Sequence, residues 1–289
     1  MKILVIGGTG TVGSEVVRAL AARKAEVSVL TRDPAKAANL PGGAVAVQGD
    51  MLDPATVRRV FTGMDGVFLL NPVSTTESHE GLMGVLGAGL AGVGRIVYLS
   101  VQDADKAPQL PHFGSKIGVE AAIKASGLPY TILRANSFYQ NDYWFKAALL
   151  DYGVYPQPLG PVGLSRVDTR DIGEAAAVAL TEEGHAGQTY NLVGPEVMTG
   201  TSTAEVWSRV LGKTIAYAGD DLDAWEQQAL QYLPAWMVFD LRYMYAHVHR
   251  HGLKASQADI DRQTTLLGHA PRAFEAFARE TAAAWGASG

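Results

Sequence analysis

Ile3-Leu4-Val5-Ile6-Gly7-Gly8-Thr9-Gly10-Thr11-Val12-Gly13 runs from an apolar stretch through a spaced-glycine turn into a segment where Val12, Val16, Ala19, Leu20 and Arg23 recur at helical spacing. The order strand, turn, helix is that of a phosphate-binding loop. Gly7 would allow the sharp turn, Gly10 would let the main chain approach a pyrophosphate, and Gly13 would let helix and strand pack closely. The helix start, with Thr9, Thr11 and Val12 around it, then offers unpaired N–H groups and the positive dipole end to an anion. Spaced glycines also arise by chance in a chain with 32 of them in 289 residues, but the strand before and the amphipathic helix after favour a dinucleotide site over a structural turn.

The composition narrows the classes. At 47% hydrophobic and 18% charged residues, the chain has the make-up of a globular protein with a full core, either one elaborated domain or a large domain with a smaller one. The longest uncharged apolar stretch, residues 81–94, is too short and glycine-rich to span a bilayer, so no membrane partner is expected. One lysine precedes the first strand, which leaves no room for a signal peptide, and the expected location is cytoplasmic. With no cysteine, disulfides, thiolate chemistry and cysteine metal sites are excluded. A net charge of -5 provides no overall field for nucleic acid, and no helix-turn-helix pattern is evident, so no direct nucleic-acid binding is expected.

Strand-like segments at 2–6, 26–31, 44–48, 66–70, 95–100 and 129–134 alternate with helical ones near 12–23, 54–62, 80–92 and 115–126. Asp33-Pro34 and Asp53-Pro54 are helix-start signals. The alternation predicts an α/β fold, a doubly wound parallel Rossmann sheet over residues 1–150, with ligands beyond the carboxyl ends of the strands. A proline- and glycine-rich stretch at 152–161 is expected to be a loop between lobes. Residues 165–195 would return to the sheet, with a helix at 171–180 and a strand at 189–193. Ser202-Thr203-Ala204-Glu205 has capping-box spacing, and 196–289 is expected to form a smaller, mostly helical substrate lobe.

Residues just after strands are the candidates for binding. Arg32 lies 19 positions past Gly13, where an acidic residue would hold the ribose 2′-OH of NAD; an arginine there can instead pair with a 2′-phosphate. Lys36 would add charge one turn later, so NADP(H) is preferred, while Asp33 keeps NAD(H) possible. The alternative for Arg32 is an ordinary solvated surface cation, and the NADP(H) reading is favoured over it. Asp50 and Met51 would flank the adenine, although Asp50 also suits a plain turn. Asn71, after the fourth strand, is expected among the cofactor contacts on the same rule.

The segments 7–13, Thr31-Arg32-Asp33-Pro34, Gly49-Asp50-Met51, Leu99-Ser100-Val101-Gln102, 111–120 with Lys116, and 130–138 together resemble the NmrA-like family of atypical short-chain dehydrogenase/reductases. The last third matches mainly by pattern, at 167–172 and 190–195. The resemblance implies NADP(H) binding and, in one branch, reduction of quinones or azo dyes; it also implies that some relatives only sense the dinucleotide. The wider superfamily uses a Tyr-x-x-x-Lys pair, the tyrosine moving a proton while the lysine holds the nicotinamide ribose. This chain has His112-Phe113-Gly114-Ser115-Lys116. Pro111 and Gly114 argue against a helix that already includes His112, so Lys116 is the stronger of the two catalytic candidates. Ser100 stands where the superfamily orients a substrate carbonyl, or else satisfies its own turn. Asn136, Ser137 and Phe138 would edge the nicotinamide, with Ala135 where relatives usually have proline.

Loss of the tyrosine disfavours alcohol oxidation, which needs a positioned acid, and permits quinone reduction, whose phenolate product water can protonate. The expected function is direct hydride transfer from NADP(H) to a small planar electron acceptor, quinone-like or azo. The alternative is a non-catalytic NADP(H)-binding redox sensor acting through a protein partner, and a homodimer is possible. Among His247, His249 and His251, the first and last have the spacing of a helical metal pair, but Arg250 and Lys254 would repel a cation, so no metal is expected. Trp225, Tyr232, Trp236, Phe239, Tyr243 and Tyr245 would build a core or, alternatively, form a lid over a planar substrate.

Overall fold

The structure is a computed structural model that describes residues 1–37 and 40–287, main chain only at 36 and 37. In chain order its regular elements are β1 (Lys2–Ile6), α1 (Thr11–Ala22), β2 (Glu26–Thr31), β3 (Val45–Gln48), α2 (Pro54–Val60), β4 (Gly66–Leu69), α3 (Glu77–Ala91), β5 (Arg95–Val101), α4 (Pro111–Ala125) and β6 (Tyr130–Ala135). There follow α5 (Lys146–Leu150), β7 (Val154–Tyr155), α6 (Thr169–Thr181), β8 (Gln188–Leu192), α7 (Gly200–Leu211) and β9 (Ala216–Tyr217). Four helices complete the chain: α8 (Leu222–Ala229), α9 (Ala235–His251), α10 (Gln257–Leu267) and α11 (Phe274–Ala284). Among the described residues no helix is long and apolar enough to cross a membrane.

One compact unit comprises Met1–Ala135, Thr169–Leu192 and Arg262–Gly268. Its described residues form a seven-stranded sheet in the order β3-β2-β1-β4-β5-β6-β8, and every pairing is parallel. This is the doubly wound Rossmann arrangement. The central strands are covered on both faces: Ile3, Leu4, Val5, Val67, Phe68 and Leu69 are wholly buried, which is why they are continuous apolar runs instead of alternating ones. Asp53 starts α2 as anticipated, its carboxylate accepting from the N–H groups of Ala55 and Thr56 at 3.0 Å each. The matching signal at Asp33-Pro34 produces only a 3₁₀ turn, Pro34–Ala37, with Asp33 accepting from Ala35 N–H at 3.0 Å.

α4 corrects one expectation. It begins at Pro111, not near 115, so His112 lies inside the helix. Proline fits the first helical position because its missing N–H would have no partner there. Gly114 weakens the helix by propensity, yet a Cβ at this position would lie 2.5 Å from the carbonyl oxygen of Pro108, so the residue is required by a close approach.

The other compact unit comprises Asn136–Asp168, Val193–Asp261 and the chain from His269 onward. Its core gathers Trp207, Tyr139, Tyr155, Phe274 and Phe277, with Trp285 stacked on Trp207 at 5.4 Å. Within the predicted loop at 152–161, Val154–Tyr155 forms a short strand parallel to Ala216–Tyr217. The capping box of α7 is real but sits one turn earlier than expected: the Thr199 hydroxyl accepts from Ser202 N–H at 3.1 Å, and Thr199 N–H donates to the Ser202 hydroxyl at 2.9 Å. The aromatics of this unit do not all enter its core. On α9, Val238, Tyr245 and Val248 form the buried line, whereas Trp236, Phe239 and Tyr243 occupy another face at 38%, 55% and 48% exposure. Tyr232, before that helix, is exposed as well.

Candidate functional site

All seven strands being parallel, their carboxyl ends share one sheet edge, and along it stand the glycine turn after β1, Arg32 after β2, Asp50 after β3, Asn71 after β4 and Ser100 near the end of β5. Strand order reverses between β1 and β4, the place where such sheets bind ligands. Gly7 has φ +79, in the left-handed region, and its carbonyl accepts from Gly10 N–H at 3.0 Å. A Cβ on Gly13 would lie 2.1 Å from the Gly7 carbonyl oxygen, so only glycine lets α1 start this close to the turn. Gly10 precedes the helix with extended backbone and no side-chain cap, and no acid sits in the first turn. The first N–H groups of a 12-residue helix are thereby left to an anion. This cradle fits a dinucleotide pyrophosphate. Thr9, Gly10 and Thr11 are exposed, whereas the Val12 side chain is buried and leaves only its main chain for a ligand.

Arg32 is exposed beyond β2. The side chain of Lys36 lies outside the described residues. Asp50 takes part in the β3–α2 turn, accepting from Leu52 N–H at 2.9 Å, and the Met51 side chain belongs to the core. Asn71 is 2% exposed, and neither atom of its amide has a hydrogen-bond partner. An unsatisfied buried amide of this kind is costly and calls for an explanation.

α4 brings His112 and Lys116 to one face, and the first turn of α3 sets Glu77 against both. One carboxylate oxygen of Glu77 is 2.9 Å from Nδ1 of His112, and the other is 2.9 Å from Nζ of Lys116. Lys116, itself buried, also reaches the Asn71 carbonyl at 3.4 Å and lies 5.5 Å from the centre of the Tyr98 ring. Burial pushes the Glu77 carboxyl up, but the hydrogen bond to His112 and the charges of Lys116 and His112 outweigh it and hold the group below the usual carboxylate range. The same burial, with Glu77 and Glu120 nearby, drives the Tyr98 phenol well above its ordinary value and keeps it neutral.

Ser100 has a different engagement: its hydroxyl donates to Glu120 at 2.7 Å, and Arg134 grips the same carboxylate with Nε and Nη2 at 2.9 Å each. Asn136, Ser137 and Phe138 open the second unit and serve its interior. Asn136 donates to the Leu253 carbonyl at 2.7 Å and accepts from Ser137 N–H at 2.7 Å, while the Phe138 carbonyl accepts from Arg166 at 2.8 Å. In that unit His249 lies 3.0 Å from the Pro158 carbonyl, and the rings of His247 and His251 stand 4.7 Å apart.

Sequence reasoning missed Glu77. The signal available was its place a few residues beyond β4, within the first turn of a helix, where a carboxylate suits the dipole. It also missed Arg166 and Asp142, both wholly buried and paired at 2.6 Å, which carry no local pattern at all.

The NmrA-like family is matched across residues 1–278. The chain belongs to the NmrA-like family. Among curated relatives, the NAD(P)H azoreductase of Xenophilus azovorans is 32% identical over 99% of this chain and 100% of its own length. The (4-alkanoyl-5-oxo-2,5-dihydrofuran-3-yl)methyl phosphate reductase of Streptomyces griseus is 31% identical over 98% of this chain and 99% of its own. Among solved structures, the NADPH-dependent quinone oxidoreductase of Escherichia coli complexed with NADPH superposes with a TM-score of 0.85, at 25% identity over 96% of this chain and 99% of that one. On α4 of this NmrA-like chain His112, held by Glu77, stands four residues before Lys116.

Proposed function

We propose that this protein is an NADP(H)-dependent oxidoreductase that passes a hydride directly to a quinone-like or azo acceptor. The observation that carries the reading is the glycine cradle at the switch point of the sheet, on the same edge as the exposed Arg32, with Lys116 buried on α4, the helix that follows β5. The azoreductase and quinone oxidoreductase relatives support it, since the likeness spans nearly the whole chain. The cofactor is NADP(H), with NAD(H) a second choice: the α1 start takes the pyrophosphate, and Arg32 meets the 2′-phosphate with a charge-assisted fork. When bound, the nicotinamide supplies the hydride. Lys116 orients its ribose, and the binding surface supplies rate by holding the two reactants in line. A planar acceptor such as a quinone becomes a stabilised phenolate on reduction, so a tyrosine in the role of proton donor is not required.

Purified protein with NADPH and a panel of quinones and azo dyes should consume NADPH through many turnovers. Loss no faster than the protein-free background, alongside intact NADPH binding, would favour a redox sensor instead. Titrations of wild type and Arg32→Ala test the cofactor choice. Removing a charge-assisted bond of about 1.5–3 kcal/mol weakens NADPH binding roughly 10- to 100-fold and leaves NADH binding unchanged. Equal NADPH affinity in the two proteins would remove Arg32 from the site.

A further inference from the structure

Glu77 is a buried carboxylate whose two oxygens serve two different partners, Nδ1 of His112 and Nζ of Lys116, both at 2.9 Å. Its side chain is 4% exposed, that of Lys116 5%, and that of His112 17%, so the histidine is the member of the trio nearest to solvent. Pairing with the buried Lys116 accounts for one of these oxygens only. An isolated buried lysine would be satisfied by one oxygen, and helix α3 would be satisfied by any first-turn acid at its surface. What the second oxygen adds is a fixed orientation for an imidazole. An ionised carboxylate accepts hydrogen bonds and donates none, so Nδ1 of His112 must carry the hydrogen between them. Proton exchange by the ring then runs through Nε2. The charge of Lys116 at the other oxygen, together with the bond to His112, keeps Glu77 ionised in spite of burial, so its role as acceptor persists at neutral pH.

We infer that Glu77 is a positioning residue of the hydride-transfer site, fixing His112 as the Nδ1–H tautomer so that Nε2 delivers a proton to the reduced acceptor. The inference rests on the reductase reading above. In the step, the acceptor gains two electrons and a hydrogen as hydride and becomes an anion. The Nε2–H bond of the His112 imidazolium breaks, its electron pair stays on nitrogen, and the proton joins the anion. The ring is left as neutral imidazole with Nδ1–H still on Glu77, and solvent returns the proton to Nε2. Glu77 changes no bond of its own. It plays the part that a buried carboxylate plays for a general-base histidine, and Lys116, which has the ribose to hold, is kept in place by the same group.

The test has a readout that needs neither cofactor nor turnover. Nitrogen-15 chemical shifts of the His112 ring, assigned by loss of signal in His112→Gln, report which nitrogen carries the hydrogen. The neutral ring of the wild type should show Nδ1–H, and Glu77→Gln, whose amide can donate as well as accept, should shift the neutral ring toward a mixture with Nε2–H. In kinetics with NADPH and a quinone, Glu77→Gln should lower kcat about tenfold or more, within the roughly 10²–10⁴-fold worth of general acid–base catalysis, while KM for NADPH rises by a smaller factor because Lys116 also loses its partner. Glu77→Asp should restore part of kcat. Since Glu77→Gln leaves Lys116 buried without its counter-charge, Glu77→Gln with Lys116→Met provides a neutral pair for the spectroscopic arm if the single variant does not fold. A wild-type ring whose neutral form carries its hydrogen on Nε2, or an unchanged tautomer in the variants, overturns the inference. So does a folded Glu77→Gln with undiminished kcat. Absence of turnover in wild type overturns the reductase reading itself, a failure recognisable because the tautomer result is obtained independently.

Discussion

At the scale of single residues, two of the buried carboxylates of the first unit, Glu77 and Glu120, are held by cations from other elements. Glu77 is held by His112 and Lys116, and Glu120 by Arg134 and Ser100. Burial pushes both carboxyls up, and in both the hydrogen bonds and neighbouring positive charges overcome it, leaving them below their ordinary 4.5. In the unfolded chain they take up protons near that ordinary value, and in the folded chain only at lower pH. Their contribution to stability is therefore complete above the unfolded value and drains away as pH falls through the folded ones. Urea midpoints should decline as pH falls below that ordinary value, and Glu120→Gln, by removing one of the two groups, should flatten that decline. Parallel slopes for wild type and variant would show that Glu120 is not linked to folding in this way. The residue types at positions 112 and 116 were visible in the sequence, and so was the glycine pattern. The acid that joins them was not, because Glu77 and His112 are 35 residues apart and nothing local links them.

At the scale of elements, helix starts explain which expectations held and which moved. Asp53 capped α2 as its sequence promised, because an N-cap bond is local and depends only on neighbours. α4 began a turn earlier than its sequence suggested because Gly114 answers to Pro108, whose carbonyl leaves no room for a side chain. The same rule governs the packing of α1 on α6. A Cβ on Gly173 would come within 2.6 Å of the main-chain carbon of Glu15, a backbone atom that cannot swing aside. Intrinsic propensity says that Gly173→Ala should stabilise α6 by up to about 1 kcal/mol. Steric crowding says that it should destabilise by about 1–3 kcal/mol, and the distance decides for crowding. The variant should unfold at lower urea and, because α1 carries the glycine turn, bind NADPH more weakly. A midpoint equal to or above that of wild type would show that the two helices can separate without penalty.

At the scale of the whole molecule, each unit has its own centre. That of the second unit is the pair Arg166 and Asp142, both fully buried, with Asp142 also accepting from the Trp207 indole at 2.9 Å and from the Tyr155 hydroxyl at 3.2 Å. Asp142→Asn leaves a guanidinium without its counter-charge in a place water does not reach, at a cost of about 3–5 kcal/mol. Thermal unfolding followed by tryptophan fluorescence should show a lower midpoint, whereas a loss below about 1 kcal/mol would mean that hydrogen bonding, not charge, holds the site. The sequence by itself determined the alternation of strands and helices, the parallel sheet that follows from it and the phosphate-binding turn, since each depends on periodicity or on a glycine within a few residues of its effect. The tertiary structure alone decided that Glu77 meets His112 and Lys116, that Ser100 donates to Glu120, that Asn136 donates to the Leu253 carbonyl, and that Tyr232, Trp236, Phe239 and Tyr243, four of the six late aromatics, are exposed. These outcomes depend on which surfaces come together after the chain has crossed the sheet, and charge pairing and burial between distant segments leave no periodic trace.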